Sequence, residues 1–209
     1  MTFKAVTTAQ LEQVRKMAND KGIGKDVFQR GLDDGAVAAM LDRINSLKPE
    51  TPTPLLARVD TIEVPAVARF VAADHFKSGV AGITFWFGDN FKRHFLGKVE
   101  ENVPAATLAI NRLNRSSVDG PIRRELGAER EEIALAHFYE LIKNQPRGER
   151  GKLPTDGTWI IAYIKDDKGN LWAVRASWYS FDREWSVDAY SVGNPCEWFA
   201  GYQVLSQVA

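Results

Sequence analysis

The chain has one cysteine, Cys196, in 209 residues. No intramolecular disulfide can form, and the Cys-rich zinc sites are excluded. Cys196 follows Pro195 with no activating neighbour in view and reads as a small buried hydrophobe. A lone cysteine fits a reducing compartment. The first residues, MTFKAVTTAQLEQVRKMAND, hold no secretory apolar segment, so the expected location is the cytoplasm. No apolar run approaches the roughly 18 residues of a membrane span, and no membrane partner is expected. Net charge is also missing: 27 basic residues balance 27 acidic ones, so no global attraction to nucleic acid or anionic lipid is implied.

Catalytic signatures are equally scarce. There is no phosphate-binding loop, no dinucleotide fingerprint and no nucleophile elbow. The three histidines, His75, His94 and His137, lack zincin spacing. Asp74, His75, Asp89 and His94 would form an acid–base group only if the fold gathered them. We therefore expect no cofactor and no metal, and the sequence leaves catalysis undecided.

What is present is helix followed by sheet. Residues 7–47 read as three short helices, a trihelical unit over residues 1–47. Thr7 or Thr8 caps the first, which carries Leu11, Val14 and Met17 at helical spacing. The second, KDVFQRGL, turns Val27, Phe28 and Leu32 inward. The third follows Asp34-Gly35 with Val37, Met40, Leu41 and Ile44 on one side. Its small, apolar sequence makes a poor DNA-recognition helix, so packing or protein docking is the better reading. Pro49, Pro52 and Pro54 mark residues 48–55 as an extended linker. An α+β domain is expected over residues 56–209.

In that domain strands are predicted at 56–64, 80–87 and 106–114, and a short helix from Ser117 to Pro121 onward. A longer helix is predicted over 128–145, burying Leu135, Phe138 and Ile142. Three strands at 158–166, 171–180 and 185–192 form a β-meander. Two-residue turns at Lys168-Gly169 and Asp182-Arg183 would set its register. One face would carry Trp159, Ile161, Tyr163, Trp172, Val174, Ala176, Trp178, Trp185, Val187 and Ala189, and would be core under the long helix. The other would carry Ile160, Ala162 and Ile164 with Arg175, Ser177, Tyr179, Ser186, Asp188 and Tyr190. There Arg175 would face Tyr190, and Ser177 would face Asp188. Arg175, Ser177, Tyr179, Asp188 and Tyr190 are the candidate ligand-binding residues: rings for apolar walls, Arg175 for an anion, Asp188 for a donor. A basic group, Arg112, Arg115, Arg123 and Arg124, is the candidate anion site. It lacks the interleaved aromatics of single-strand binders, which disfavours nucleic acid.

The segments SSVDGPIRRELG and WSVDAYSVGNPCEWFAGYQVLSQ together resemble a C-terminal domain that recurs in uncharacterised proteins of uncultivated bacteria. VFQRGLDDGAVAAML resembles a helical segment of the same proteins. The resemblance spans about residues 70–209 and implies no activity. Helices followed by an antiparallel sheet and meander are also similar to cystatin-like and NTF2-like folds, which host enzymes and binding modules alike. The leading expectation is a non-catalytic binding protein with a protein partner or a homo-oligomeric assembly. A small enzyme or ligand carrier on the Arg175/Asp188 face is the alternative, followed by anion or nucleic-acid binding through the 112–124 arginines.

Overall fold

Thr7 sets the first helix. Its Oγ1 accepts from Gln10 N at 3.3 Å while Gln10 Oε1 accepts from Thr7 N at 2.9 Å, a reciprocal capping box at the start of α1 (Thr8–Asp20). Gly22, at φ +68°, adopts the left-handed conformation that turns the chain into α2 (Lys25–Asp33). The Asp34 carboxylate accepts from Ala36 N at 3.0 Å and leads into α3 (Ala36–Ser46). The computed structural model describes residues 7–46, 53–193 and 196–208. The chain divides into two units, Met1–Thr53 and Pro54–Ala209. Most of the expected linker, including Pro49 and Pro52, lies outside the described residues.

The apolar stripes of the first unit correct the sequence reading. Leu11, Val14, Met17, Val27, Phe28, Leu32, Met40, Leu41 and Ile44 are all exposed, and Val37 is half-buried. No residue of α1 or α2 is buried. The periodicity is helical as expected, but three helices of 13, 9 and 11 residues offer one another too little surface to close a core.

The second unit is an α+β fold around a seven-stranded sheet. In chain order come β1 (Leu56–Val64), β2 (Val67–Val71), α4 (Ala72–His75), β3 (Phe85–Phe87), α5 (Asp89–Phe95), β4 (Val99–Val103) and β5 (Ala106–Leu113). Then follow α6 (Asp119–Leu126), α7 (Ala128–Glu131), α8 (Leu135–Lys143), β6 (Ile160–Lys165), β7 (Leu171–Tyr179), β8 (Glu184–Ser191) and β9 (Gln203–Gln207). The sheet order is β1-β5-β9-β6-β7-β8-β3, while β2 and β4 pair separately. The sheet is mixed rather than purely antiparallel, because β6 runs parallel to β9 and β3 parallel to β8. The 80–87 strand shortens to Phe85–Phe87, since Gly79 and Gly82 take positive φ and fold Val80–Gly82 into a 3₁₀ turn. β2, β4 and β9 have no counterpart in the sequence reading.

The helix expected over 128–145 is broken. Glu132 is extended (φ −87°, ψ 131°) and bridges to Tyr163, and Ile133 N donates to Tyr163 O at 3.0 Å. The acidic residues at this break are held in pairs. Glu131 takes Arg123 in a bidentate contact at 2.8 and 2.9 Å, and Glu132 meets Lys165 at 2.7 Å. α8 restarts with a remote cap: Glu100 accepts from Leu135 N at 3.0 Å and Ala136 N at 2.8 Å. Leu135, Phe138 and Ile142 are buried, and so are Ala136, His137, Tyr139 and Leu141. The helix packs on β1, β4 and α4, so water reaches little of it.

Each face of the sheet has its own core. The larger includes Phe85, Phe91, Phe95, Leu108, Ile110, Phe138, Val174, Trp178, Trp185 and Val187. The smaller joins Leu113, Ile122, Leu126, Ile161, Tyr163, Ala173, Trp198 and Val204. Trp185 is fully buried, and its Nε1 donates to Gln145 O at 2.9 Å. Gln145 in turn organises the long 144–157 loop. Its amide donates to Glu149 O and Leu153 O and accepts from Leu153 N, at 2.8–3.0 Å. Gly148, at φ +68°, lies flat on the Trp178 ring where any Cβ would overlap it.

Candidate functional site

Alternate residues of a strand share one face, and this puts Arg175, Ser177 and Tyr179 of β7 beside Asp188 and Tyr190 of β8 as expected. The pairing itself differs. Arg175 lies opposite Asp188, Ser177 opposite Ser186, and Tyr179 opposite Glu184. The connecting turn has four residues, Ser180 to Arg183, with Arg183 at φ +56°, so the register moves by two and the face is conserved. The β6–β7 turn has three residues, Asp167 to Gly169, and shifts the register by one. That flips β6. Ile160, Ala162 and Ile164 enter the main core, while Trp159, Ile161 and Tyr163 join the Arg175 face. Asp166 fixes this turn. Its carboxylate accepts from Lys168 N, Asn170 N and Trp172 Nε1 at 2.8–3.0 Å.

The flip gives Arg175 its setting. The guanidinium lies 4.0 Å from the Trp159 ring centre and 4.4 Å from that of Tyr190, and its Nη2 donates to Tyr190 Oη at 2.6 Å. Its Nε is buried without a hydrogen-bond partner. Two ring faces on one cation are worth about 0.5–2 kcal/mol each and hold the side chain flat on the sheet. Burial pushes the Tyr190 phenol up, Arg175 opposes this, and Asp188 adds to it. Ser177 is fully buried and donates to Gly157 O at 3.0 Å. Asp188 accepts from Ala189 N at 2.8 Å and lies against Gly88, where any Cβ would collide with it. Both side chains therefore serve the scaffold. Tyr179 is 45% exposed and lines a cavity of about 250 Å³ with Trp86, Asp182, Glu184 and Ser186. Trp86, Asp182 and Glu184 are not among the candidate site residues read from the sequence, where Asp182 appears only as a turn residue. Their one visible signal is Trp86 alternating with two core phenylalanines in the Phe-Trp-Phe strand.

At the other end this face closes over a buried carboxyl. Asp119 is 1% exposed, and its Oδ1 accepts from Trp198 Nε1 at 2.7 Å and Tyr163 Oη at 2.8 Å. Its Oδ2 is buried without a partner. Burial raises the carboxyl above its usual range, against the pull of Trp198, Tyr163 and Arg123. Burial and the Asp119 charge push the Tyr163 phenol far above its ordinary value.

The arginine cluster is spread over several elements. Arg112 lies on β5 opposite Ala57 and Gln203, Arg115 is exposed after β5, and Arg123 and Arg124 lie on α6. Arg123 and Arg124 line one cleft of about 410 Å³, where Glu131 occupies Arg123. The histidines serve different clusters. His75 stacks on Phe70 at 4.5 Å, and His94 lies 4.3 Å from Trp172 and 3.8 Å from Asp166. His137 Nε2 is 2.9 Å from Pro104 O. Among the described residues no three His, Cys, Asp or Glu side chains are placed to share a metal ion, and no helix is long and apolar enough to cross a membrane. Cys196 is half-buried rather than fully buried, with its Sγ 3.7 Å from Glu197 O.

The first unit has an apolar concave surface of its own. Leu11, Val14, Ala18, Ile23 and Phe28 line a groove of about 420 Å³ between α1 and α2, and its charged lining residues are Arg15 and Lys25. No known protein family, curated protein or solved structure matches the chain.

Proposed function

We propose that this protein is a non-catalytic interaction protein whose α1–α2 groove takes an amphipathic helix of a partner. The carrying observation is the concentration of uncovered apolar side chains. Among the described residues, sixteen large hydrophobics are exposed, and ten of them lie between Leu11 and Ile44. Isolated exposed apolar residues are ordinary, but four of these ten, Leu11, Val14, Ile23 and Phe28, line the α1–α2 groove together, which is the usual mark of a binding surface. The groove's charge defines its occupant. Arg15 and Lys25 border it without a lining carboxylate. Arg15 has one solvent-exposed pair, with Glu12 at 3.5 Å, and such pairs are weak. A helix with an apolar stripe and flanking carboxylates complements both features.

The test uses the full chain as bait for displayed helical peptides with one apolar stripe and randomised flanks. Asp- and Glu-flanked sequences should be enriched, and the double variant Leu11→Ser/Phe28→Ser should abolish the enrichment. Equal recovery of basic flanks, or enrichment that survives both substitutions, would overturn the proposal. So would a native-mass dimer that dissociates in the same variant, because the occupant would then be a second copy.

The alternative, a ligand carrier or small enzyme on the Arg175 face, has the cavity beside Tyr179 in its favour. Anion binding through the arginines is weakened by the Arg123–Glu131 pair.

A further inference from the structure

We propose that the open end of the Arg175 face binds an alkylammonium group, in a site built by Trp86, Tyr179, Asp182, Glu184 and Ser186. This site lies in the second unit and is independent of the helical groove. Two strand pairings create it. Parallel pairing of β3 with β8 puts Trp86 next to Ser186, and antiparallel pairing of β7 with β8 puts Tyr179 next to Glu184. Glu184 and Ser186 are two residues apart on one strand, so all four side chains share a face. Asp182 joins them from the turn. The resulting cavity of about 250 Å³ is smaller than the roughly 300–1,000 Å³ of drug-sized ligand sites. It suits a head group or a single side chain.

Three observations define the ligand. The Trp86 and Tyr179 rings are 51% and 45% exposed, which leaves their faces open to a cation. Asp182 and Glu184 line the cavity, no basic residue lines it with them, and neither carboxylate takes part in an ion pair among the described residues. Ser186 is only 6% exposed, and among the described residues its hydroxyl has no hydrogen-bond partner even though the residue lines the cavity. An anion is excluded by the two carboxylates. A neutral sugar would stack on the rings but leave both charges uncompensated. An ammonium with at least one N–H offsets the charge, lies against the rings and donates to Ser186. Burial and repulsion from Asp182 already raise the Glu184 carboxyl, a cost that a bound cation would relieve.

The group has two sources, a free amine or a lysine side chain of another protein. The test follows the Trp86 indole N–H resonance of the full chain, assigned with Trp86→Phe, at constant ionic strength. The probes are n-butylammonium, its neutral analogue n-butanol, a blocked lysine-containing peptide and methyl glucoside. Butylammonium or the peptide should shift the resonance saturably and bind about tenfold or more tighter than butanol. The double variant Asp182→Asn/Glu184→Gln should lose that difference at unchanged melting temperature, and Ser186→Ala should weaken binding by about threefold. Tighter binding of the peptide identifies a protein side chain, and tighter binding of butylammonium a free amine. The inference is overturned if butanol binds equally well, if the glucoside saturates the site instead, if no cation shifts the resonance, or if the double variant binds as the parent does.

Discussion

Asp119→Ala is the sharpest test of the packing account. The parent carboxyl accepts from Trp198 Nε1 and Tyr163 Oη, both from fully buried side chains. Alanine leaves two donors dry and unpaired. Each unsatisfied buried donor costs about 1–3 kcal/mol, so the expected loss is roughly 2–6 kcal/mol. Asp119→Asn behaves differently. Its carbonyl oxygen keeps both donors, and its amide replaces an Oδ2 that already has no partner. The change should be small where Asp119 is protonated, and the pH dependence supplies the sign. The Asp119 carboxyl is raised in the folded protein. Its contribution to stability is therefore fully present below the unfolded pKa and is lost as pH rises through the folded one. Parent stability should fall across that window relative to the asparagine variant, and the two should converge at lower pH. Urea unfolding at several pH values, followed by tryptophan fluorescence, measures both effects. An alanine variant within about 0.5 kcal/mol of the parent, inside the range of ordinary surface substitutions, would refute the reasoning.

Three further outcomes follow from the same geometry. Asp166 has the opposite sign: burial works to raise it, but hydrogen bonds from Asn170, Trp172 and Lys168 together hold it below its usual value. Its contribution is present above the unfolded pKa and is lost as pH falls through the folded one, so Asp166→Asn should flatten the acid limb of the stability profile in urea titrations. Gly148→Ala should destabilise by about 2–5 kcal/mol, combining about 1–2 for a left-handed backbone with about 1–3 for overpacking against Trp178. Gly169→Ala, at φ +82° with nothing within 4 Å of its Cβ, should lose only the backbone part, and thermal melts of both variants separate the two contributions. Arg175→Lys keeps the charge but loses the flat stacking between Trp159 and Tyr190, and should cost about 1–2 kcal/mol by urea titration.

The fold was legible where local chemistry decides it. The Thr7 cap, the meander strands, β1, β5 and the start of α6 follow from capping residues, alternation and turn residues. Long-range pairing was not. The parallel contacts of β9 with β6 and of β3 with β8 join segments far apart in sequence, and no local pattern encodes them. The break in the 128–145 helix has the same origin: its periodicity is sound, but a bridge to Tyr163 removes Glu132 from the helix. The candidate face depended on turn length. An error of two residues in the β7–β8 turn preserved it, whereas one residue in the β6–β7 turn moved Trp159 from the presumed core to the Arg175 sandwich. The grouping of Trp86, Asp182 and Glu184 was invisible for the same reason, since it depends on β3 joining the sheet edge.

The helical groove is tested most directly by titrating the full chain calorimetrically with two synthetic amphipathic helices of identical apolar stripe, one Glu-flanked and one Lys-flanked. The account predicts saturable binding of the Glu-flanked helix, weakened about tenfold or more by Phe28→Ser, because burying a phenylalanine contributes roughly 1.5–3 kcal/mol. Equal affinity for both helices, or affinity indifferent to Phe28→Ser, would contradict it.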